Sequence, residues 1–430
     1  MQAMIPGDDV LNTIYYFGGM WCVFLSGSTV LRPNYVVVWT VFVVLFTLIL
    51  LPKINDSLEI PSVKNQIIMY GLYLFCCVIS IVVSTDRDKS LVFTERLALA
   101  ILYAIGVSSN DNNFLRQQRI LELFLFFLLG VSFIELFFPE IYQSVFLPLL
   151  DGQQGYYLRI GTYGLCIQGF AVGISKNGLW MSIGFVLYLS KFVSGDRKIK
   201  NIILLLLYFI MIFCTGKRSY SLIAIVLLLW GAFLMNRGQH FGRRLAITLL
   251  LFVGLGIGAI LLSKRIPAFS TSIVRSLEFL EDGDISDGRF DAYASAIASI
   301  PSNPFGIGID VSGLHNSYLQ FILELGWIGG TLSICLFISP FIMGMKRLKS
   351  VLSLGVLSEV DNRELLFSMF FQALILLAGF VALPFLWHDV IMLFMISQIA
   401  MLRKYNKYYE AITNNIGRQS INGVKSKYIK

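Results

Sequence analysis

The residues able to do chemistry in this chain are few. Arg159 lies in LRIGTYG, Lys217 and Arg218 in TGKRSYS, Arg289 in GRFDAY and His315 in GLHNSYLQ. Guanidinium and ammonium groups bind phosphate oxygens, arginine in two-pronged fashion. A histidine near its ordinary pKa can accept a proton at neutral pH. The residues therefore suit anion binding combined with proton transfer.

Each also has a plainer reading. Arg218 stands in a tight turn, Thr215 to Ser219, between two apolar stretches, and the amino terminus of the second helix adds positive potential suited to phosphate; with Lys217 it could equally snorkel to lipid headgroups. Arg159 sits among Gly155, Gly161, Thr162 and Gly164, where backbone could approach a ligand, or it pairs with Asp151 or Glu140. Tyr156 and Tyr157 beside it are candidates for contacting a sugar. Arg289 either meets substrate or makes a salt bridge in its acidic surroundings. His315 follows Gly306, Gly308 and Gly313 and opens a helix that Asn316 or Ser317 could cap, which suits either a catalytic base or a satisfied structural residue. His388, beside Asp389, competes with it on the same face, whereas His240 falls on the opposite one.

The elements that carry these residues are membrane spans. The chain has 430 residues, of which 56% are hydrophobic and 14% charged, and its mean hydropathy is +0.74. Soluble domains are markedly less apolar. Stretches able to cross a bilayer run near 9–30, 33–51, 67–84, 90–107, 120–138, 177–194, 201–215, 219–236, 245–263, 325–345, 365–384 and 388–402. The expected fold is therefore an all-α polytopic membrane protein of about twelve transmembrane helices, with one transmembrane domain over 1–402 and a basic tail over 403–430. Most of the lysines and arginines fall on the face holding that tail, which the positive-inside rule makes cytoplasmic. The net charge of +8 follows from this asymmetry and gives no argument for nucleic-acid binding. The amino terminus has no positive region or cleavage site of a signal peptide, so the first span is expected to stay as an anchor.

Two connections are long, 139–176 and 264–324, both on the external face. Long loops in compact proteins are usually functional. The second should hold a helix from about Gly288 to Ser299, stopped by Pro301 and Pro304. No metal is expected. Asp282-Gly-Asp284 and Asp86-Arg-Asp88 match only a short acidic pattern, and as a calcium loop the segment DGDISDG places Asp287 at the turn-glycine position and Tyr293 at the bidentate-glutamate position. The six cysteines have no metal-type spacing: Cys166 is external and the others lie in expected spans.

In the order RIGTYG, TGKRS, GRFDAYASAIASIPSNPFGIG, LHNSYLQFILELGWIGG, the chain resembles the O-antigen polymerase and O-antigen ligase superfamily of bacterial envelope glycan synthesis. The motifs cover roughly 155–335 and the layout covers the whole chain; a lysine in TGKRS stands where relatives commonly carry a small residue. The resemblance implies a GT-C-like glycosyltransferase of the inner membrane. It would work at the periplasmic face on an undecaprenyl-pyrophosphate-linked glycan, without cofactor or metal, surrounded by membrane lipids and with a chain-length regulator protein as a further partner. It assigns Arg159 and Arg218 to the pyrophosphate and His315 to the acceptor, with Arg289, Asn316, Lys217 and Tyr157 as further substrate-binding positions. A polymerase is favoured because two external segments could serve two glycan lipids. The alternatives are a ligase transferring the glycan to lipid A-core and a flippase for lipid-linked oligosaccharide. Against the flippase stand the scarcity of charges within the spans and the confinement of the long loops to one face.

Overall fold

The computed structural model describes residues 58–107, 111–150, 166–171, 173–235, 289–354 and 357–427, together with the isolated positions 37, 40, 41 and 44. Among the described residues the chain is helical and holds no strand. The helices, in order, are α1 (Pro61–Val83), α2 (Arg87–Val107), α3 (Asp111–Phe137), α4 (Ile174–Ser194), α5 (Ile199–Cys214), α6 (Arg218–Met235), α7 (Arg289–Ser299), α8 (Ser317–Leu354), α9 (Glu359–Ala378) and α10 (His388–Lys427). Short helical turns fill 139–149.

Five helical segments among the described residues are long and apolar enough to cross a bilayer: Pro61–Val83, Arg87–Val107, Phe114–Phe137, Arg218–Met235 and Ser317–Leu348. The protein is thus an all-α membrane protein. The expected spans at 177–194, 201–215 and 388–402 fall on α4, α5 and the first part of α10, whereas 365–384 overlaps α9 only as far as Ala378, where that helix ends. Those at 9–30 and 245–263 lie outside the described residues, and 33–51 contributes four positions, all helical. The tail after 402 continues α10 as helix to Lys427.

α4 is the hub. It is buried along nearly its whole length, packed among α3, α5, α6 and α9. Charges are paired where they enter the bundle, as burial requires. Lys191 of α4 meets Glu122 of α3 at 2.7 Å, and Lys404 of α10 meets Asp361 at 2.6 Å and Glu364 at 2.7 Å, both on α9. These pairs tie the helices at one end of the bundle.

The other end gathers the connecting segments. Thr85 N–H donates to the Ile307 carbonyl (3.0 Å), Ile167 N–H to Cys214 (3.0 Å) and Ser317 N–H to Gly379 (2.8 Å). A fourth link is the ion pair between Lys176 of α4 and Asp389 of α10 (2.7 Å). The segments that sequence places on the external face thus meet at one end.

α8 is not one straight rod. Gly326 interrupts it with φ 73° and ψ −178°, a conformation that belongs almost exclusively to glycine. The rings of Phe321 and Phe337 lie 5.7 Å apart; in an unbroken helix that sequence separation would put them ~24 Å apart. The piece 317–325 therefore folds back on 327–354. Hydropathy alone reads a span at 325–345 because both arms are apolar; what it misses is the sharp reversal. The segment around Pro304 closes the reversal. Ile307 N–H and Gly308 N–H donate to the carbonyls of Leu323 and Glu324 (3.2 and 3.1 Å) and Trp327 N–H donates to Pro304 (3.2 Å), satisfying carbonyls left open at the end of the short piece.

Gly326→Ala is expected to destabilise the protein strongly. A Cβ there would lie 2.3 Å from the Pro304 carbonyl oxygen, and the backbone conformation alone costs on the order of 1–3 kcal/mol. Thermal unfolding in detergent should show a drop of several degrees; an unchanged melting temperature would mean that the reversal does not depend on this glycine.

Candidate functional site

The site starts from one buried carboxylate. Glu324 is fully buried and lies in the short arm of α8. Its Oε1 accepts from Val311 N–H (2.9 Å), Ser312 N–H (2.7 Å), the Ser312 hydroxyl (2.8 Å) and Gln320 Nε2 (2.7 Å), and its Oε2 from Asp310 N–H (2.8 Å). Five donors converge on two oxygens, the pattern an acceptor-only carboxylate satisfies. Hydrogen bonds to charged groups are worth roughly 1.5–3 kcal/mol each, so this one side chain sets the path of 310–312. That path includes Asp310 at φ 64°, a left-handed conformation that aspartate adopts more readily than most residues.

Three residues on, the chain reaches His315, which is solvent-accessible and held from both sides. Asn316 Oδ1 caps the following helix, accepting from Tyr318 N–H and Leu319 N–H at 3.1 Å each; its amide nitrogen takes no part in the cap. The Ser317 hydroxyl donates to the Ala382 carbonyl (3.1 Å) and the Tyr318 hydroxyl to Leu376 (2.6 Å). On the other side, the Tyr293 hydroxyl of α7 donates to the His315 carbonyl (3.1 Å).

That last contact positions a cation. Arg289 precedes Tyr293 by one helical turn, so both lie on one face of α7, the face turned toward His315. Lys217 approaches from the turn between α5 and α6. Partial burial lowers the imidazole pKa below its ordinary value, and the positive charges of Arg289 and then Lys217 lower it further. All three effects favour the uncharged form of the imidazole.

Arg289 opens α7, and the acidic stretch of 281–287, with which the sequence offers it a salt bridge, lies outside the described residues. Arg218 is the first residue of α6, next to Lys217. The turn that presents them has Gly216 at φ 68° and is joined to the incoming 166–171 segment at Cys214. That segment has its own buried anchor: Glu135 accepts from Gln168 N–H (3.2 Å) and Gly169 N–H (2.6 Å), while the Tyr142 hydroxyl donates to the Gly169 carbonyl (2.8 Å). Arg159 and Tyr157, earlier in the same connection, lie outside the described residues. No family model matches this chain, and no curated protein does.

His388 stands in a different setting. Its neighbour Asp389 is committed to the ion pair with Lys176, and the charges around the imidazole are Asp389, Lys176 and Arg96. Among the described residues no cluster of histidine, cysteine or acidic side chains could hold a metal ion; the acidic stretch before Gly288 is not described.

Glu324, Tyr293 and Glu135 escape a reading of the sequence for functional residues. A signal for Glu324 is nonetheless there: a lone acid within SYLQFILELGWIGG is an ionisable group in an apolar run, which demands partners.

Glu324→Gln keeps one acceptor oxygen but turns an amide donor toward donors, and Glu324→Ala removes every acceptor. Hydrogen exchange at 310–312 should accelerate in both, by about tenfold or more if a single bond of roughly 1.4 kcal/mol is lost. Unchanged exchange in Glu324→Ala would show that the loop is held by something else.

Proposed function

We propose that this protein is a membrane glycosyltransferase that polymerises surface polysaccharide, joining undecaprenyl-pyrophosphate-linked repeat units at the external face of the bacterial inner membrane. The observation that carries the reading is an accessible His315 at the end of a membrane bundle, tied through its carbonyl to Tyr293 of α7 and acted on by the charges of Arg289 and Lys217.

In the proposed reaction an acceptor sugar hydroxyl attacks the anomeric carbon of the donor glycan. The new carbon–oxygen bond forms as the bond to the pyrophosphate breaks, and the hydroxyl proton passes to His315. Attack opposite the leaving group inverts the anomeric centre. Negative charge grows on the departing pyrophosphate, where Lys217, Arg218 and Arg289, together with Arg159 as the sequence resemblance assigns it, would stabilise it; in many enzymes such charge stabilisation contributes more to the rate than any other single effect. The same cations that depress the His315 pKa would be offset by the bound anion, so donor binding would make the imidazole a better base when it is needed. The spacing of buried anchors supports a rigid site: Glu324 holds the loop before His315 and Glu135 holds the segment after Arg159.

The test is the purified protein in nanodiscs with its lipid-pyrophosphate repeat unit. A ladder from wild type, reduced about 10²–10⁴-fold in His315→Ala, is the expected result. Transfer only after lipid A-core is added would make the protein a ligase, and movement of glycan lipid across the bilayer without a new bond would make it a transporter.

The pH profile gives a second check. A histidine base is lost as pH falls through its pKa, which here lies below the ordinary value. In Lys217→Ala and Arg289→Ala the pKa should rise, so the acid limb of kcat/KM should move to higher pH although the rate itself falls. A limb that stays in place in both variants would remove His315 from the base role.

A further inference from the structure

Two cysteines meet at the end of the bundle where the candidate site lies. Cys166 belongs to the connection 139–176, and Cys214 is the last residue of α5, just before the turn that presents Lys217 and Arg218. The amide that follows Cys166, Ile167 N–H, donates to the Cys214 carbonyl at 3.0 Å. Each cysteine Cα is two covalent bonds from one of the bonded atoms, so the two Cα atoms lie at most ~8 Å apart. That range includes the ~4.4–6.8 Å that disulfides span. The side chains are also near enough for the charge of Cys166 to act on Cys214.

Both stand as thiols in this structure. Cys166 is 2% exposed and Cys214 is fully buried, so the packed bundle shields them from oxidants and reductants alike. The other cysteines among the described residues are placed differently. Cys76 and Cys77 are successive residues of α1, which do not face each other on a helix, and Cys335 lies along the long arm of α8.

We infer that Cys166 and Cys214 are joined by a disulfide that ties the connection carrying Arg159 to the turn carrying Lys217 and Arg218. This rests on the proposed function for its orientation, which turns this end of the bundle toward the compartment where disulfides persist. The oxidant is a dithiol–disulfide oxidase of that compartment. One cysteine thiolate attacks a sulfur of the oxidase disulfide, giving a mixed disulfide and one oxidase thiolate; the second cysteine thiolate then attacks the chain sulfur of that intermediate and expels the other oxidase thiolate. Two electrons and two protons pass to the oxidase, which leaves as a dithiol. The bond forms before the segment packs, and the burial that follows protects it. Glu135, which accepts from Gln168 N–H and Gly169 N–H, and the disulfide then hold the segment from two sides, fixing its spacing from the Lys217 turn.

The experiment dissolves the purified full chain in dodecyl sulfate with N-ethylmaleimide and maps its peptides by mass spectrometry, without and with prior reduction. Without reduction, Cys166 and Cys214 should escape alkylation and appear in one linked peptide; after reduction both should be alkylated. Cys166→Ala should open Cys214 to alkylation, and Cys214→Ala should open Cys166. Wild-type chain made in cells lacking the external oxidase should carry both as thiols. Hydrogen exchange at 166–171 should then be about tenfold faster or more, because the closed loop no longer restrains the segment.

Alkylation of both cysteines in the unreduced wild type would overturn the inference, as would a linked peptide joining either to another cysteine. Unchanged exchange at 166–171 in the thiol form would overturn the tie. Orientation is read separately, by a membrane-impermeant maleimide on Gln143→Cys in spheroplasts, at an exposed position of the same connection. Labelling there, with Cys166 and Cys214 alkylated in unreduced wild type, would refute the disulfide and leave the orientation standing. A disulfide in a protein that yields no ladder would keep the inference and refute the polymerase.

Discussion

A carboxylate taken out of water must find donors, and in this protein that requirement shapes the end of the bundle where the candidate site lies. Glu324 is fully buried and satisfies itself with the backbone of 310–312, the Ser312 hydroxyl and Gln320. The loop therefore cannot wander, and the residues after it inherit its position. The reversal at Gly326 brings the short arm of α8 against its long arm, and the Pro304 segment closes over the turn. His315 emerges between the Glu324-bound loop and the Asn316 cap, with α7 tied to its carbonyl. Small losses at Glu324 or Gly326 would thus be felt at His315 without touching it.

Electrostatics gives this placement chemical meaning. Partial burial, and then the charges of Arg289 from α7 and Lys217 from the α5–α6 turn, lower the imidazole pKa and favour its neutral form. Holding like charges together costs energy unless an anion joins them. Under the proposed function, a phosphate bound there would offset those charges and strengthen the base. Inside the bundle, by contrast, lysines meet carboxylates directly, as in Lys191 with Glu122 and Lys176 with Asp389. Among the described residues the charges acting on the accessible His315 are those of Arg289 and Lys217.

Much of this was legible in the sequence where local rules govern. The helix expected from about Gly288 to Ser299 is α7, from Arg289 to Ser299, because its apolar spacing and the following prolines are local signals. The helix start at His315 and Asn316 was likewise readable, since capping needs only the neighbouring residues. The fold-back at Gly326 was not, because hydropathy sums apolar residues without regard to direction. Nor was the role of Glu324, whose partners become partners only once the loop has closed on the helix. The influence of Lys217 on His315 joins residues far apart in sequence, which periodicity does not reach. Arg159 and Tyr157 stand on sequence alone.

The proposed mechanism requires His315 to be an uncharged base whose basicity is set by Lys217 and Arg289 and raised by a bound pyrophosphate. NMR titration of ¹⁵N-labelled histidine in nanodiscs reads this directly, with His315 assigned by comparison with His315→Gln, before and after addition of polyprenyl pyrophosphate. The expected result is a pKa below the ordinary histidine value in the free protein, rising when the pyrophosphate lipid binds. An ordinary or elevated pKa that the lipid does not move would contradict the mechanism.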